Sequence, residues 1–107
     1  MTLERDEIFE IIQYSLKETA EVNDIALEEE ISERTPLYGQ KGLLDSIALV
    51  GLVASVEERL GEMGYNVTIA SEKAFSRKTS PFLNVRTLAN FVKELLDGQG
   101  NSHHRNE

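Results

Sequence analysis

One serine of the chain stands where its hydroxyl could do chemistry. Ser46 follows Asp45 at the point where a loop ending in GLLD gives way to the helical pattern SIALVGLVASVEERL. Such a hydroxyl could cap the helix, attack a substrate as a nucleophile, or accept a covalently attached group. Asp and Ser are both preferred helix N-caps, each worth about 1 kcal/mol relative to Ala, so capping alone is one explanation of the pair.

Ser46 lacks the neighbours that would activate it as a nucleophile. An activated serine needs a base within reach and a third group that orients the base. The two histidines, His103 and His104, are adjacent in a polar C-terminal tail, and a pair without further ligands falls short of a metal site. The chain contains no cysteine, which excludes thiol catalysis, disulfides and zinc–thiolate sites. We therefore expect no catalytic residue and no metal centre.

Attachment of a group to Ser46 has a physical basis. A serine in the first turn of a helix holds its hydroxyl at the surface, where an added phosphate meets free backbone N–H groups and the positive end of the helix dipole. If Leu49 and Val53 face the core, the opposite face of this helix is small and partly apolar. That face consists of Ile47, Gly51, Ala54, Ser55 and Glu58. A helix that is apolar nearly all round is either covered by its own chain or docks to a partner.

Three stretches have the period of amphipathic helices, over residues 3–20, 46–60 and 85–97, and Gly98 predicts the end of the third. A short fourth helix is predicted at Ser71–Phe75, with Ser71 as its cap. YNVTIA alternates like a strand but has no second strand to pair with, so we predict an extended connection. The predicted core stripes are Ile8, Ile11, Ile12, Leu16 and Thr19; Leu49, Leu52, Val53, Val56 and Leu60; and Val85, Leu88, Phe91, Val92, Leu95 and Leu96.

The connection over residues 21–45 is long for a link between two helices of a small domain. Its apolar residues, which must pack on the helices, are Val22, Ile25, Leu27, Ile31, Leu37, Leu43 and Leu44. The sequence therefore predicts an all-α fold, a small bundle of three main helices and one short helix, with a long ordered loop between the first and second. One domain is expected over residues 1–97, followed by a disordered polar tail over 98–107.

The charge of the chain is concentrated in its first third. The formal net charge is −8, and residues 1–35 contain eleven acidic and three basic residues. Such a chain would repel phosphate, so nucleic acid is not an expected partner. The longest uncharged apolar run, residues 47–56, is too short to span a bilayer, and the acidic N-terminus is unlike a signal peptide. We expect a cytoplasmic protein without a membrane partner.

At these residues the chain resembles the acyl carrier protein family. The family signature is Asp-Ser-Leu at the start of the second helix, followed by apolar residues at helical spacing and then two acids. DSIALVGLVASVEERL follows this pattern with Ile47 in place of leucine. NVRTLANFVKELL resembles the last helix of the family, and TPLYGQKGLLDS is similar to the approach to the serine in free-standing carriers, especially the D-alanyl carrier type. The resemblance covers residues 3–97.

The resemblance implies that Ser46, beside its motif neighbour Asp45, receives a 4'-phosphopantetheine arm from coenzyme A. The transfer is made by a separate magnesium-dependent phosphopantetheinyl transferase. The thiol of the arm then holds an acyl or aminoacyl group as a thioester, so the carrier itself needs no cysteine. By this resemblance the chain is not an enzyme, and it acts as a monomer. It presents its cargo to acyl or aminoacyl ligases and synthases in fatty acid or secondary metabolite biosynthesis. The residues implied in partner contact are the acidic pair Glu57 and Glu58, beside Ile47, Gly51 and Ala54.

Two features depart from the family pattern. Fatty-acid carriers have further acids early in the second helix, where this chain has Ala48 and Gly51, and this favours a dedicated partner over general fatty-acid enzymes. The stretch 61–84 is longer than in a minimal carrier and contains a basic cluster of Lys73, Arg77 and Lys78. The alternative function is a helical adaptor that keeps the carrier fold and is never modified.

Overall fold

A computed structural model describes residues 3–39, 42–71 and 80–102 of the chain. Over these residues there are three α-helices, α1 (Arg5–Val22), α2 (Ser46–Glu62) and α3 (Val85–Ser102), and no β-strand. The predicted all-α class is confirmed. The short helix predicted at Ser71–Phe75 and the basic cluster fall on residues 72–79, which lie outside the described residues. No helix in the described ranges is long and apolar enough to cross a bilayer.

Each helix begins where side chains accept hydrogen bonds from backbone N–H groups at its start. Ahead of α1, the Glu4 N–H donates to the Glu7 carboxylate over 2.9 Å. Ahead of α3, Asn84 and Thr87 each accept from the other's backbone N–H, over 2.9 and 3.1 Å. The predicted end of the third helix at Gly98 is wrong, because α3 continues to Ser102. A glycine inside a helix costs only about 1 kcal/mol, which does not stop a helix that is otherwise well packed. The predicted tail 98–107 therefore begins inside α3.

Helix α1 lies between the other two helices. It packs against both α2 and α3, whereas no Cα atoms of α2 and α3 approach within 8 Å of one another. Apolar side chains from the two connections complete the single core. The most deeply buried of these connection residues are Leu37, Leu44, Ile69 and Phe82. The backbone of α2 thus approaches α1 more closely than it approaches α3, while buried side chains of all three helices belong to one core.

The predicted core stripes are largely confirmed, and one predicted residue in each helix is less buried than expected. Ile11, Leu49 and Leu95 are half-buried rather than buried. The sequence reading missed four buried helix residues, which are Ser15, Ala20, Ala48 and Ala89. In the long connection, the prediction for Val22 is wrong, since it is 78% exposed in the last turn of α1. Small residues are buried here because the helices approach closely, which a search for large apolar side chains overlooks.

The part of the long connection that precedes α2 is tied down through its backbone. Leu37 N–H donates to the Leu83 carbonyl over 2.9 Å, and Leu44 N–H donates to the Leu37 carbonyl over 2.8 Å. Gly42 fits against this loop only because it has no side chain. A Cβ atom there would lie 2.6 Å from the Leu37 carbonyl oxygen and equally close to the Tyr38 backbone. The chain at Gly42 therefore packs directly against the backbone of Leu37 and Tyr38.

Candidate functional site

Asp45, not Ser46, caps helix α2. The Asp45 carboxylate accepts a hydrogen bond of 2.8 Å from the Ala48 N–H, and its backbone is extended, as expected of an N-cap. Ser46 is the first residue of the helix. The choice between the two residues that the sequence left open is thereby resolved, and the Ser46 hydroxyl has no capping function.

The Ser46 side chain is exposed, and within the described ranges its hydroxyl makes no hydrogen bond. The N–H groups of Ser46 and Ile47 likewise find no acceptor among the described residues, as is usual in the first turn of a helix. Free N–H groups together with the helix dipole favour negative charge at this end of α2. A phosphate bonded to the Ser46 Oγ would therefore be stabilised by the backbone beside it.

Two buried residues hold Ser46 in place from either side. Leu44, two positions before it, is 3% exposed, and Ala48, two positions after it, is 1% exposed. The residues between these anchors are all exposed. Because Gly42 also packs closely against the backbone of Leu37 and Tyr38, the exposed hydroxyl projects from a stretch of chain that is anchored on both sides. The site is thus accessible without being loose.

Helix α2 presents a partly apolar stripe to solvent next to Ser46. We call it the α2 stripe, and it consists of Ile47, Val50, Gly51, Ala54 and Glu58, all exposed. Ile47 is 77% exposed and Val50 is 68% exposed, which is unusual for large aliphatic side chains. Four of the five residues that the sequence assigned to this face lie on it.

The sequence reading of this face contained two errors of phase. Ser55 is half-buried, and its hydroxyl donates to the Glu18 carboxylate of α1 over 3.0 Å. Val50 belongs to the stripe and was missed. Both errors follow from centring the core face between Leu49 and Val53. The row of buried residues at i, i+4 spacing, Ala48, Leu52, Val56 and Leu60, is the signal that sets the correct phase.

Ala48 and Gly51, which stand where the resemblance implies acids in fatty-acid carriers, differ in their exposure. Ala48 is buried, so a partner could not contact a side chain at that position, and its lack of charge says nothing about partners. Gly51 is exposed, and a Cβ atom built there meets no other atom within 4 Å. Only the absence of an acid at Gly51 therefore bears on which partner docks.

The two acids expected to contact partners also have different surroundings. Glu57 is half-buried, and its Oε2 accepts from the Ile69 N–H at 2.6 Å and the Ala70 N–H at 3.3 Å. This carboxylate therefore holds the chain segment that follows α2. Glu58 is exposed on the α2 stripe. Partner contact stays a prediction for both residues, and Glu57 has in addition a structural use that the sequence did not indicate.

A network of polar side chains joins the C-terminal half of α2 to α1. Arg59 Nη2 lies 3.2 Å from Glu18 Oε1, and its guanidinium carbon is 4.0 Å from the centre of the Tyr14 ring. The Ser55 hydroxyl, and then Arg59, lower the pKa of the Glu18 carboxyl below its usual value, because each stabilises the charged form. Sequence reasoning missed Tyr14 and Arg59, since their contact depends on how α1 and α2 face each other.

The described ranges contain no group of three or more His, Cys, Asp or Glu side chains that could hold a metal ion. Both histidines lie outside those ranges. Comparison of the chain with models of protein families, with curated proteins and with solved structures gave no match. Ser46 and the α2 stripe are accordingly the features on which a function can be argued.

Proposed function

We propose that the chain is a carrier protein of the acyl carrier type, in which Ser46 is the attachment site of a 4'-phosphopantetheine arm. One observation supports this most strongly. The Ser46 hydroxyl is exposed at the first position of α2, and Asp45 already caps the helix, so the hydroxyl is free for another use. The wider acyl-carrier-like arrangement, with its long ordered loop and a short helix at Ser71–Phe75, is part of the same proposal.

The attachment reaction needs little from the chain beyond the hydroxyl and its backbone. Ser46 Oγ attacks the phosphorus atom that bears the pantetheine in coenzyme A, and a new O–P bond forms. The bond from that phosphorus to the pyrophosphate bridge oxygen breaks, and adenosine 3',5'-bisphosphate leaves. The hydroxyl proton passes to a base of the transferase, because the described residues place no base against this hydroxyl. The Ser46 and Ile47 N–H groups stabilise the phosphodiester that results.

The arm, when bound, supplies the thiol that this chain lacks, and an acyl or aminoacyl group is held on it as a thioester. The chain's own residues then serve to present that cargo. Ile47 and Val50 lie directly behind Ser46 and expose large aliphatic side chains. An enzyme that docks on the α2 stripe would bury them, with Gly51 and Ala54 permitting close approach. Apolar packing, rather than a row of ion pairs, is expected to select the ligase or synthase that acts on this carrier.

Intact mass measurement tests the attachment. The full chain is incubated with coenzyme A, Mg²⁺ and a phosphopantetheinyl transferase of broad specificity, and the expected result is a gain of one phosphopantetheinyl group. Ser46→Ala abolishes the gain, whereas Ser32→Ala, which changes another exposed serine, does not. An unmodified wild-type chain, or modification that survives Ser46→Ala, contradicts the assignment.

Stability measurements keep a failed modification from being mistaken for a failed fold. Because Asp45 is the cap, Ser46→Ala should change the free energy of unfolding by less than about 0.5 kcal/mol. Asp45→Ala should lower it by about 1 kcal/mol. Asp45→Asn keeps a good cap and removes the charge, so any loss of modification in this variant reports on recognition by the transferase rather than on folding.

An unmodified adaptor with the same fold is the second candidate. The exposure of Ile47 and Val50 favours it as well, because an apolar stripe serves docking whether or not Ser46 is modified. The mass experiment separates the two functions, since an adaptor gains no mass under conditions that modify a known carrier in the same tube.

A further inference from the structure

Helices α1 and α2 form a second surface with exposed apolar groups, far from Ser46. An open groove of about 360 Å³ runs between them. Tyr14 on one wall is 60% exposed and Met63 on the other is 49% exposed, with the half-buried Ile11 between them. Tyrosine and methionine are both enriched in protein interfaces relative to the rest of the surface.

Acidic side chains surround this apolar patch. Glu7 and Glu10 of α1 and Glu62 of α2 line the same groove, and all three are exposed. The one basic residue that lines it, Arg59, is already paired with Glu18. Tyr14 also lines a neighbouring groove of about 330 Å³, where Glu18 and Glu21 outnumber Lys17. The margin of the surface therefore has an excess of negative charge.

The centre of the surface is held in shape before anything binds. The Arg59 guanidinium stacks on Tyr14 at 4.0 Å and is fixed by Glu18, which in turn accepts from Ser55. A stacked, ion-paired side chain has less freedom left to lose when it is covered. In protein interfaces most of the binding energy comes from a few large side chains near the centre, which a rim of weaker contacts surrounds. The surface around Tyr14 has this arrangement.

We propose that this surface, made of Ile11, Tyr14, Arg59 and Met63 within the acidic rim of Glu7, Glu10 and Glu62, docks a basic amphipathic helix of a partner protein. Charge complementarity selects the partner, because lysine or arginine on both sides of an apolar stripe would face the acids. The apolar stripe would cover Tyr14 and Met63. Tyr14 lines both grooves, so a helix that covers this ring can place side chains in each of them.

The position of the surface separates it from the attachment site. Ser46 begins α2, and Met63 lies just beyond its end, about 25 Å away along a helix that rises 1.5 Å per residue. Binding at this surface consequently leaves Ser46 itself uncovered, although Glu62 of its rim lies one helical turn beyond Glu58 of the α2 stripe. It is also independent of whether Ser46 is modified, so this docking does not depend on the function proposed above.

Titration of the full-length chain with a synthetic peptide tests the surface. The probe is a short helical peptide with leucine on one face and lysine on both flanks of that face. Amide and methyl resonances of the chain are followed by NMR. The expected shifts cluster at Ile11, Tyr14 and Met63, in both unmodified chain and Ser46→Ala. A peptide of the same composition in shuffled order, with no apolar face, should bind at least about tenfold more weakly.

Matched variants identify the groups responsible. Tyr14→Ala should weaken binding about tenfold, and Glu10→Lys with Glu62→Lys should weaken it further and flatten its salt dependence. Val50→Ala, on the α2 stripe, should leave binding unchanged. Tyr14 is mostly exposed, and the fold of each variant is checked by its thermal unfolding.

Three outcomes overturn the inference. The first is equal binding of the shuffled peptide, which would mean attraction to the net charge alone. The second is a cluster of shifts on the α2 stripe. The third is a cluster of shifts at the other acidic groove, of about 480 Å³, where Glu28, Glu29 and Glu30 border the loop beside Leu43.

Discussion

The two ends of helix α2 are built in opposite ways. At the N-terminal end the backbone is anchored by the close packing of Gly42 and by the Asp45 cap, while the side chains of Ser46 and Ile47 are exposed. At the C-terminal end the side chains themselves are engaged, since Glu57 holds the following segment and Arg59 pairs with α1. The first end leaves a hydroxyl free on a firm base, whereas the second uses its polar groups to join parts of the fold.

This difference shows which substitutions should affect folding and which should affect function. At the N-terminal end, changes to backbone geometry or to the Asp45 cap are costly, whereas the exposed side chains of Ser46 and Ile47 are dispensable for stability. Changes to side chains are costly at the C-terminal end, where the hydrogen bonds depend on them. Substitutions of matched residues at the two ends can therefore break or sharpen the comparison.

Gly42→Ala is expected to have the largest effect. The new Cβ atom would lie 2.6 Å from the Leu37 carbonyl oxygen, so the backbone of the turn must move. We expect the free energy of unfolding to fall by about 1–3 kcal/mol, as for other overpacked sites. Denaturant unfolding measures it, with Gly61→Ala as the control, because a Cβ atom at Gly61 meets nothing within 4 Å. Equal stability of the two variants would show that the turn before Ser46 is not rigid.

Glu57→Ala tests the other end and should have the next largest effect. It removes the acceptor of two backbone N–H groups, at Ile69 and Ala70, and hydrogen bonds to a charged group are worth about 1.5–3 kcal/mol in favourable cases. We expect a loss of about 1–2 kcal/mol and faster amide exchange at Ile69. Glu58→Ala is the matched control, since Glu58 is exposed and should cost less than about 0.5 kcal/mol. Similar losses in both variants would contradict a structural use of Glu57.

Gly51→Ala and Gly61→Ala should change stability alike and differ only in their effect on the contact with a partner enzyme. Both glycines are exposed inside α2 with open space around them, so each substitution should raise the free energy of unfolding by about 0.5–1 kcal/mol. Only Gly51 lies on the α2 stripe. We therefore expect Gly51→Ala to slow loading of the modified chain by its partner enzyme, while Gly61→Ala leaves the rate unchanged. Equal rates in the two variants would show that close approach at Gly51 is not needed.

Acid should produce the smallest effect, at the C-terminal end. The pKa of Glu18 is lowered in the folded chain, first by Ser55 and then by Arg59. Its stabilising contribution is fully present above the pKa that the carboxyl has in the unfolded chain and is lost as the pH falls through the lower pKa of the folded chain. Wild type should therefore be more stable than Glu18→Gln at neutral pH, and the difference should disappear in acid. Because Glu18 is exposed, the difference is small, and a gap that persists at low pH would show a different cause.

The helices could be predicted because their apolar residues recur at helical spacing over long stretches. The phase of α2 was harder to predict, because the half-buried Leu49 is as apolar as the residues that face the core, and the small Ala48 is buried. The end of α3 was missed since a glycine only weakens a helix. The use of Glu57 depends on the path of the segment after α2, and no local pattern encodes that path.

The candidate site divides in the same way. Ser46 could be singled out from its place behind Asp45, because helix starts have a recognisable local composition. That Asp45 alone serves as the cap required the geometry, since both residues are good caps. The contact of Tyr14 with Arg59 joins residues far apart in the sequence, so it becomes visible only when α1 and α2 are packed together.

The buried anchors on either side of Ser46, Leu44 and Ala48, have a consequence for any tether attached there. The local concentration of a tethered group falls roughly as the −3/2 power of the length of its flexible link. An attachment residue on a flexible loop would lengthen the flexible link by the length of the loop. The concentration of the tethered group near the catalytic centre of a docked enzyme would then be lower. Because Leu44 and Ala48 are buried on either side of Ser46, a group attached to Ser46 as we propose would explore a volume set mainly by the length of its own arm.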